Sequence, residues 1–279
     1  MFQPRYAPDG TVLAPRLTAP AADGHKYDRG HAFIFSGPRH RTGAARLAAQ
    51  ACLRTGAGLV TVIGDGAALD EHAAHLTAIM LHQDDGVYDV MDQRTGAVAM
   101  GPGLGVGDTT RHKVLTVLDK GFPLVLDADA MTSFADGAQT TLFARMHRRC
   151  VMTPHAGEFA RLFPDVDLKD RQAAVCQAAA MAGAVVLLKG AQTHIASPDG
   201  QHAVSRHATP WLATAGAGDV LTGIITGLLS QGASPFDAAA MGAWLHGDAG
   251  RRGGVGLTAD DLPAWLLATL QALTEDRES

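Results

Sequence analysis

Short runs of consecutive apolar residues recur along the chain, separated by stretches of helical spacing. Ala32-Phe33-Ile34-Phe35, Leu59-Val60-Thr61-Val62-Ile63, Val98-Ala99-Met100, Pro123-Leu124-Val125-Leu126, Cys150-Val151-Met152-Thr153 and Ala184-Val185-Val186-Leu187-Leu188-Lys189 read as strands. Residues 43–54 and 171–182 read as helices, and two more follow at 235–251 and from Leu262 to about Glu275. Continuous rather than alternating apolar strands are buried on both faces, so the pattern predicts a mostly parallel sheet with helices on either side. His194-Ile195-Ala196 and His202-Ala203-Val204 flank Ser197-Pro198-Asp199-Gly200, a hairpin signal that predicts an antiparallel edge. The expected fold class is α/β, a three-layer α/β/α arrangement. Residues 1–28 are expected as an extended lead-in and 29–279 as one catalytic domain.

Composition narrows the function. The chain has 279 residues, 47% of them hydrophobic and 18% charged, enough for a sizeable core. Its formal charge is −5 and it has no long basic run, which argues against nucleic-acid binding. Cys52, Cys150 and Cys176 are odd in number and widely spaced. They read as reduced thiols, neither a disulfide frame nor a metal site. The first residues are broken by prolines and lack the apolar core of a signal peptide. No apolar run reaches the ~20 residues of a bilayer span. A cytoplasmic protein with no membrane partner is expected.

Ligands of such sheets bind outside the carboxyl ends of the strands. Here each strand runs into glycines and polar groups: Ser36-Gly37-Pro38 and Thr42-Gly43, then Gly101-Pro102-Gly103-Leu104-Gly105, Asp127-Ala128-Asp129, Thr153-Pro154-His155-Ala156-Gly157-Glu158 and Lys189-Gly190-Ala191-Gln192-Thr193. Near the C-terminus Gly216-Ala217-Gly218-Asp219 opens an apolar helix. The N–H groups of such a helix start can cradle a phosphate, and Asp219 beside them can take a proton from a hydroxyl. Gly216, Ala217 and Gly218 are therefore candidates for an anion hole, against the plainer reading of a turn with an Asp cap. Lys189 ends a buried strand, where its charge needs a partner: a phosphate or an internal carboxylate. Asp127 and Asp129, two apart at a strand end, are expected to point the same way and to orient substrate or metal.

These segments, taken in order, resemble the ADP- or ATP-dependent NAD(P)H-hydrate dehydratases of the ribokinase-like superfamily. The resemblance rests on residues 43–62, GPGLG at 101–105, LDADA at 126–130, TPHAGEF at 153–159, KGAQT at 189–193 and LTG at 221–223. It implies a ribokinase-like fold and a repair enzyme acting on NADHX or NADPHX, the hydrates of the reduced nicotinamide cofactors. A phosphoryl group would pass to the hydrate hydroxyl, and phosphate would then leave. ADP is the expected co-substrate, giving AMP, with ATP as the alternative, and Mg²⁺ is expected to neutralise the phosphates.

By position, the resemblance makes Asp219 the catalytic group. It assigns Lys189, Gly190, Ala191, Gln192, Thr193 and Gly218 to the nucleotide, and Ala44, Gly103, Gly105, His155 and Asp219 to the hydrated substrate. The metal ligands are open, with Glu158 a candidate through water or else a helix cap. The family commonly fuses this domain to an epimerase. The ~28 residues before the match leave no room for one, so a separate epimerase acting on the same substrate is expected, as is a homo-oligomer, with a tetramer as the candidate assembly. The family usually has Ser or Thr where this chain has Ala217. G-A-G-D is typical of the superfamily's sugar and vitamin kinases, which keeps a small-molecule kinase as the alternative.

Overall fold

The computed structural model describes residues 2–19, 24–85, 91–135 and 137–275. The chain runs β1 (Phe2–Gln3), β2 (Arg16–Leu17), β3 (His31–Phe35), α1 (Thr42–Thr55), β4 (Leu59–Gly64), α2 (Gly66–Ala73), β5 (Met80–Gln83), β6 (Thr95–Met100), α3 (Asp108–Asp119), β7 (Leu124–Leu126), α4 (Ala128–Thr132), α5 (Gln139–Phe143) and β8 (Cys150–Met152). It continues through α6 (Ala156–Leu162), α7 (Arg171–Ala182), β9 (Val185–Leu188), β10 (Thr193–Ala196), β11 (His202–Ser205), α8 (Ala217–Ser230), α9 (Pro235–Gly253) and α10 (Leu262–Glu275).

The main sheet has the order β11-β10-β9-β8-β7-β6-β3-β4-β5. Neighbours from β9 to β5 are parallel, whereas β10 is antiparallel to both β9 and β11, which is the edge that the hairpin signal predicts. Side chains alternate across the sheet into two separate cores. Ala32 and Ile34 of β3 enter one core, with α1, α8, α9 and α10; Phe33 and Phe35 enter the other, with α3 to α7. The expected three layers follow. Small residues bring α8 hard against α1: a Cβ on Gly223 would sit 2.1 Å from the Ala48 carbonyl oxygen.

Some elements lack an apolar signature. β5 carries His82 and Gln83 and is only partly buried, and its strand pairing comes from β4 rather than from its own pattern. Residues 2–17 of the lead-in are tied down by pairing: β1 to β2, and Val12 N–H to the Val204 carbonyl of β11 at 2.9 Å. Among the described residues no helix is long and apolar enough to cross a membrane.

The sheet reverses direction at β3. The chain passes from β3 to β4 and β5 on one side, then returns to β6 on the other. The crevice above the carboxyl ends of β3 and β6 is therefore a topological switch point, where α/β sheets hold their ligands.

Candidate active site

Two glycine-bearing loops meet at the switch point. A Cβ on Gly37 would lie 1.8 Å from the Gly103 carbonyl oxygen, so only glycine permits this approach. Ser36 Oγ donates to the Gly37 carbonyl at 2.9 Å and lies 2.8 Å from Nε2 of the buried His72, which holds the first loop. A Cβ on Gly103 would stand 3.6 Å from that of Ala44. Gly105 N–H donates to Asp129 Oδ2 at 2.7 Å. Ala44, Gly103 and Gly105 thus share one place.

The next strand ends in an acid–lysine centre. Asp127 is almost wholly buried. It accepts from Lys189 Nζ at 2.9 Å on Oδ1 and from Thr222 Oγ1 at 2.9 Å on Oδ2. The expectation that Asp127 and Asp129 point the same way is wrong. The strand stops at Leu126, and Ala128 turns the chain with φ +43°, a left-handed value rare outside glycine. Asp127 consequently faces Lys189, while Asp129 faces the Gly105 loop. Lys189 is held from both sides of its own backbone: its N–H donates to the Pro154 carbonyl at 2.9 Å and its carbonyl accepts from Arg171 Nη2 at 2.9 Å. Burial works against the Lys189 charge, but Asp127, Glu158 and Asp219 outweigh it and raise its pKa, so the ammonium is retained.

Asp219 lies in the first turn of α8, two residues beyond Ala217. Gly216 precedes the helix with φ +87°, a left-handed turn, and Ala217 N–H donates to the Thr214 carbonyl at 3.4 Å. Burial pushes the Asp219 carboxyl up to about 6; the charges of Asp127 and Asp129 add to this, and Lys189 opposes it. A Cβ on Gly218 would come within 3.5 Å of Lys189 Nζ and 3.8 Å of Asp127 Oδ2. Helix start, ammonium and acids are therefore adjacent.

Beside them opens a cavity of about 470 Å³. Its walls include Lys189, Gly190, Ala191, Thr193, Ala217 and Gly218. Gln192 is exposed and lies outside those walls. The remaining wall comes from Leu221 of the LTG segment and from residues with no local sequence signal: Ala208, Thr209, Pro210, Leu212, Ala213 and His246. Burial pushes His246 down to about 4, with Lys189 adding to the effect, so its imidazole is neutral.

His155 caps α6. Its Nδ1 accepts from the N–H groups of Gly157 at 3.0 Å and Glu158 at 3.2 Å, while Glu158 Oε2 accepts from His155 N–H at 2.8 Å. With Nδ1 accepting, the neutral ring carries its proton on Nε2. The His155 side chain is 54% exposed and its Nε2 lies 3.6 Å from Glu158 Oε1, whereas Glu158 is buried and reaches Lys189 Nζ with Oε2 at 3.9 Å. Among the described residues no group of three or more His, Cys, Asp or Glu is arranged to hold a metal ion.

Fold and site together define a ribokinase-like α/β protein, and solved structures agree. A ribokinase-like superfamily protein from Enterococcus faecalis superposes with a TM-score of 0.81 at 25% identity, covering 92% of each chain. The ADP/ATP-dependent NAD(P)H-hydrate dehydratase from Bacillus subtilis, co-crystallized with ATP and Mg²⁺, gives 0.79 at 28% identity over 92% of this chain and 95% of that one. The chain belongs to the NAD(P)H-hydrate dehydratase family, whose sequence model matches residues 32–269. The ADP-dependent (S)-NAD(P)H-hydrate dehydratase of Neisseria meningitidis is 39% identical, over 83% of this chain and 79% of its own length. A bifunctional NAD(P)H-hydrate repair enzyme from Synechocystis is 40% identical over 87% of this chain but 49% of its own. The chain thus spans about half the length of the bifunctional relatives it matches.

Proposed function

We propose that the protein dehydrates the S form of NADHX or NADPHX back to NADH or NADPH, driven by ADP, which leaves as AMP and phosphate. The observation that carries this is the meeting of Asp219, the glycine-bearing start of α8 and the Lys189–Asp127 pair beside one cavity, which Lys189, Ala217 and Gly218 line, in a chain of this family. The nucleotide is assigned to the cavity beside Lys189–Thr193 and Gly218, the hydrated nicotinamide to the switch-point crevice near Ala44, Gly103, Gly105 and His155.

In this reading Asp219 accepts the proton of the hydrate hydroxyl as that oxygen attacks the terminal phosphorus. Its raised pKa matches that task at neutral pH, where it is ionised yet more basic than an ordinary carboxylate. The helix start at residues 216–218 and the Lys189 ammonium face the charge spread over the phosphoryl oxygens. Loss of phosphate from the ring carbon, with a proton from its neighbour, restores the double bond. Ala217 leaves the backbone donors in place and removes only a side-chain hydroxyl.

Mg²⁺ fits this donor set as an ion held mainly by phosphates and water. Asp127 is committed to Lys189 and Thr222 and Glu158 Oε2 to a backbone N–H, leaving Glu158 as an outer partner through water. When bound, the ion would neutralise phosphate charge. Its free, buried Cys52 and Cys150 accord with a cytoplasmic site of action. A homo-oligomer is proposed for the assembly, and an epimerase acting on the same hydrates as the functional partner.

Purified protein mixed with NADHX or NADPHX, Mg²⁺ and either ADP or ATP tests the proposal. Return of the near-ultraviolet band of the reduced nicotinamide is expected, fastest with ADP. No return with either nucleotide refutes it, and a phosphorylated product that accumulates without elimination favours a kinase.

A further inference from the structure

Arg41 is a cation with no side-chain partner among the described residues. It ends the turn Arg39–Arg41 that carries the chain from the Ser36-Gly37-Pro38 loop into α1, and its N–H is tied back to the Pro38 carbonyl at 2.7 Å. Its side chain runs along the glycine loops of the switch point. Its Cβ lies 3.3 Å from where Gly37 would carry a Cβ and 3.5 Å from the same place on Gly103; its Nη1 reaches within 3.9 Å of that place on Gly105. Asp129 of α4 accepts from Gly105 N–H through Oδ2 and makes no ion pair with Arg41. Among the described residues the Arg41 guanidinium has no hydrogen bond and no ion pair.

An exposed arginine normally gains little from its position. Arg41 differs because its backbone N–H is tied to Pro38, its stem lies along the Gly37 and Gly103 loops, and its head lies beside Gly105 at the crevice where this fold class binds ligands. Five N–H donors in a rigid fork suit phosphate oxygens in particular. The NAD(P)H-hydrate proposed for this crevice carries such groups, a pyrophosphate always and a ribose 2′-phosphate in the NADP form.

We propose that Arg41 is the anchor for a phosphate of the dinucleotide substrate at the Gly103–Gly105 loop. The assignment rests on the dehydratase reading for the identity of the ligand. It concerns binding, so it is tested without turnover. NADPH and NADH, which carry the same phosphates and are stable, are titrated calorimetrically into the full chain and into its Arg41→Ala and Arg41→Lys variants. Arg41→Ala keeps the Cβ that packs on the loops and should fold as the parent does; Arg41→Gln serves if it does not.

Arg41→Ala is expected to weaken NADPH at least about tenfold, with Arg41→Lys recovering part of the loss. If NADH weakens equally, the anchored group is the pyrophosphate; if NADH is unaffected, it is the 2′-phosphate. Unchanged binding of both dinucleotides by Arg41→Ala overturns the assignment, whatever the parent catalyses. A parent that binds NADPH through Arg41 yet dehydrates no hydrate overturns the activity and leaves the anchor standing. A parent that binds neither dinucleotide overturns both.

Discussion

Asp127, rather than Asp219, neutralises Lys189. The ammonium donates to Asp127 Oδ1 at 2.9 Å, and the second oxygen of that carboxylate is occupied by Thr222. Asp219 feels the same lysine only as a nearby charge. One acid is thereby fixed as a partner and the other remains available to take a proton.

Breaking the pair should cost stability. Lys189→Met leaves the Asp127 carboxylate buried with Thr222 as its remaining side-chain donor, a loss of about 3–5 kcal/mol. Asp127→Asn with Lys189→Met is expected to lose less than the sum of the single changes, because neither variant group strands a charge. Urea unfolding of all four proteins reads the coupling directly.

Asp219 should set the acid limb of activity. As a base it acts only when ionised, so kcat/KM is expected to fall as pH drops through about 6, and Asp219→Asn to lower turnover by roughly 10²–10⁴-fold while nucleotide binding persists. Stability moves the other way. The folded protein raises this pKa from 3.8 to about 6, so folding favours the neutral acid and the ionised form is a burden above pH 6. Asp219→Asn should therefore unfold at a higher temperature than the parent at pH 8, by roughly 1–2 kcal/mol after solvent screening, with the gain fading toward pH 4. Melting curves across that range check the sign.

Gly218→Ala separates folding from phosphate binding. The added Cβ meets Lys189 Nζ and Asp127 Oδ2 at ordinary contact distance, and alanine is the better helix residue by about 1 kcal/mol. Thermal stability should be equal or higher. Nucleotide affinity should fall at least about tenfold, since the methyl group occupies the approach to the helix start. Unchanged affinity in a calorimetric titration would remove the helix start from the nucleotide site.

Two substitutions of His155 distinguish capping from ligand contact. Asparagine keeps a side-chain acceptor for the N–H groups of Gly157 and Glu158, and alanine does not. His155→Ala should cost about 1 kcal/mol of stability and His155→Asn little. Both remove the half-exposed imidazole proposed to contact the hydrate, so both should raise KM for it by a similar factor in steady-state assays.

The strands of the sheet interior were legible because burial on both faces writes them as unbroken apolar runs, as at Val185–Leu188. β5 was not, because its residues owe their strand conformation to the neighbouring β4. The same divide runs through the site. Lys189 and Gly216–Asp219 announce themselves locally, as a charge on a buried strand and as glycines before a helix. Thr222 as partner of Asp127, and His246 and Leu212 as cavity walls, depend on contacts between distant segments that no short window contains. The divergence of Asp127 and Asp129 was hidden for another reason: spacing implied a strand, and a left-handed alanine ended it.

That alanine has a practical bearing. A single residue held against its conformational preference, at a cost on the order of 1–3 kcal/mol, sends two acids to different tasks. Anyone hardening this protein against heat would be tempted to relax it with glycine, and would then be loosening the joint that keeps the lysine's counter-ion apart from the carboxylate beneath the substrate loop. Safer gains lie in helices remote from that joint, while attempts to redirect the chemistry have reason to begin there.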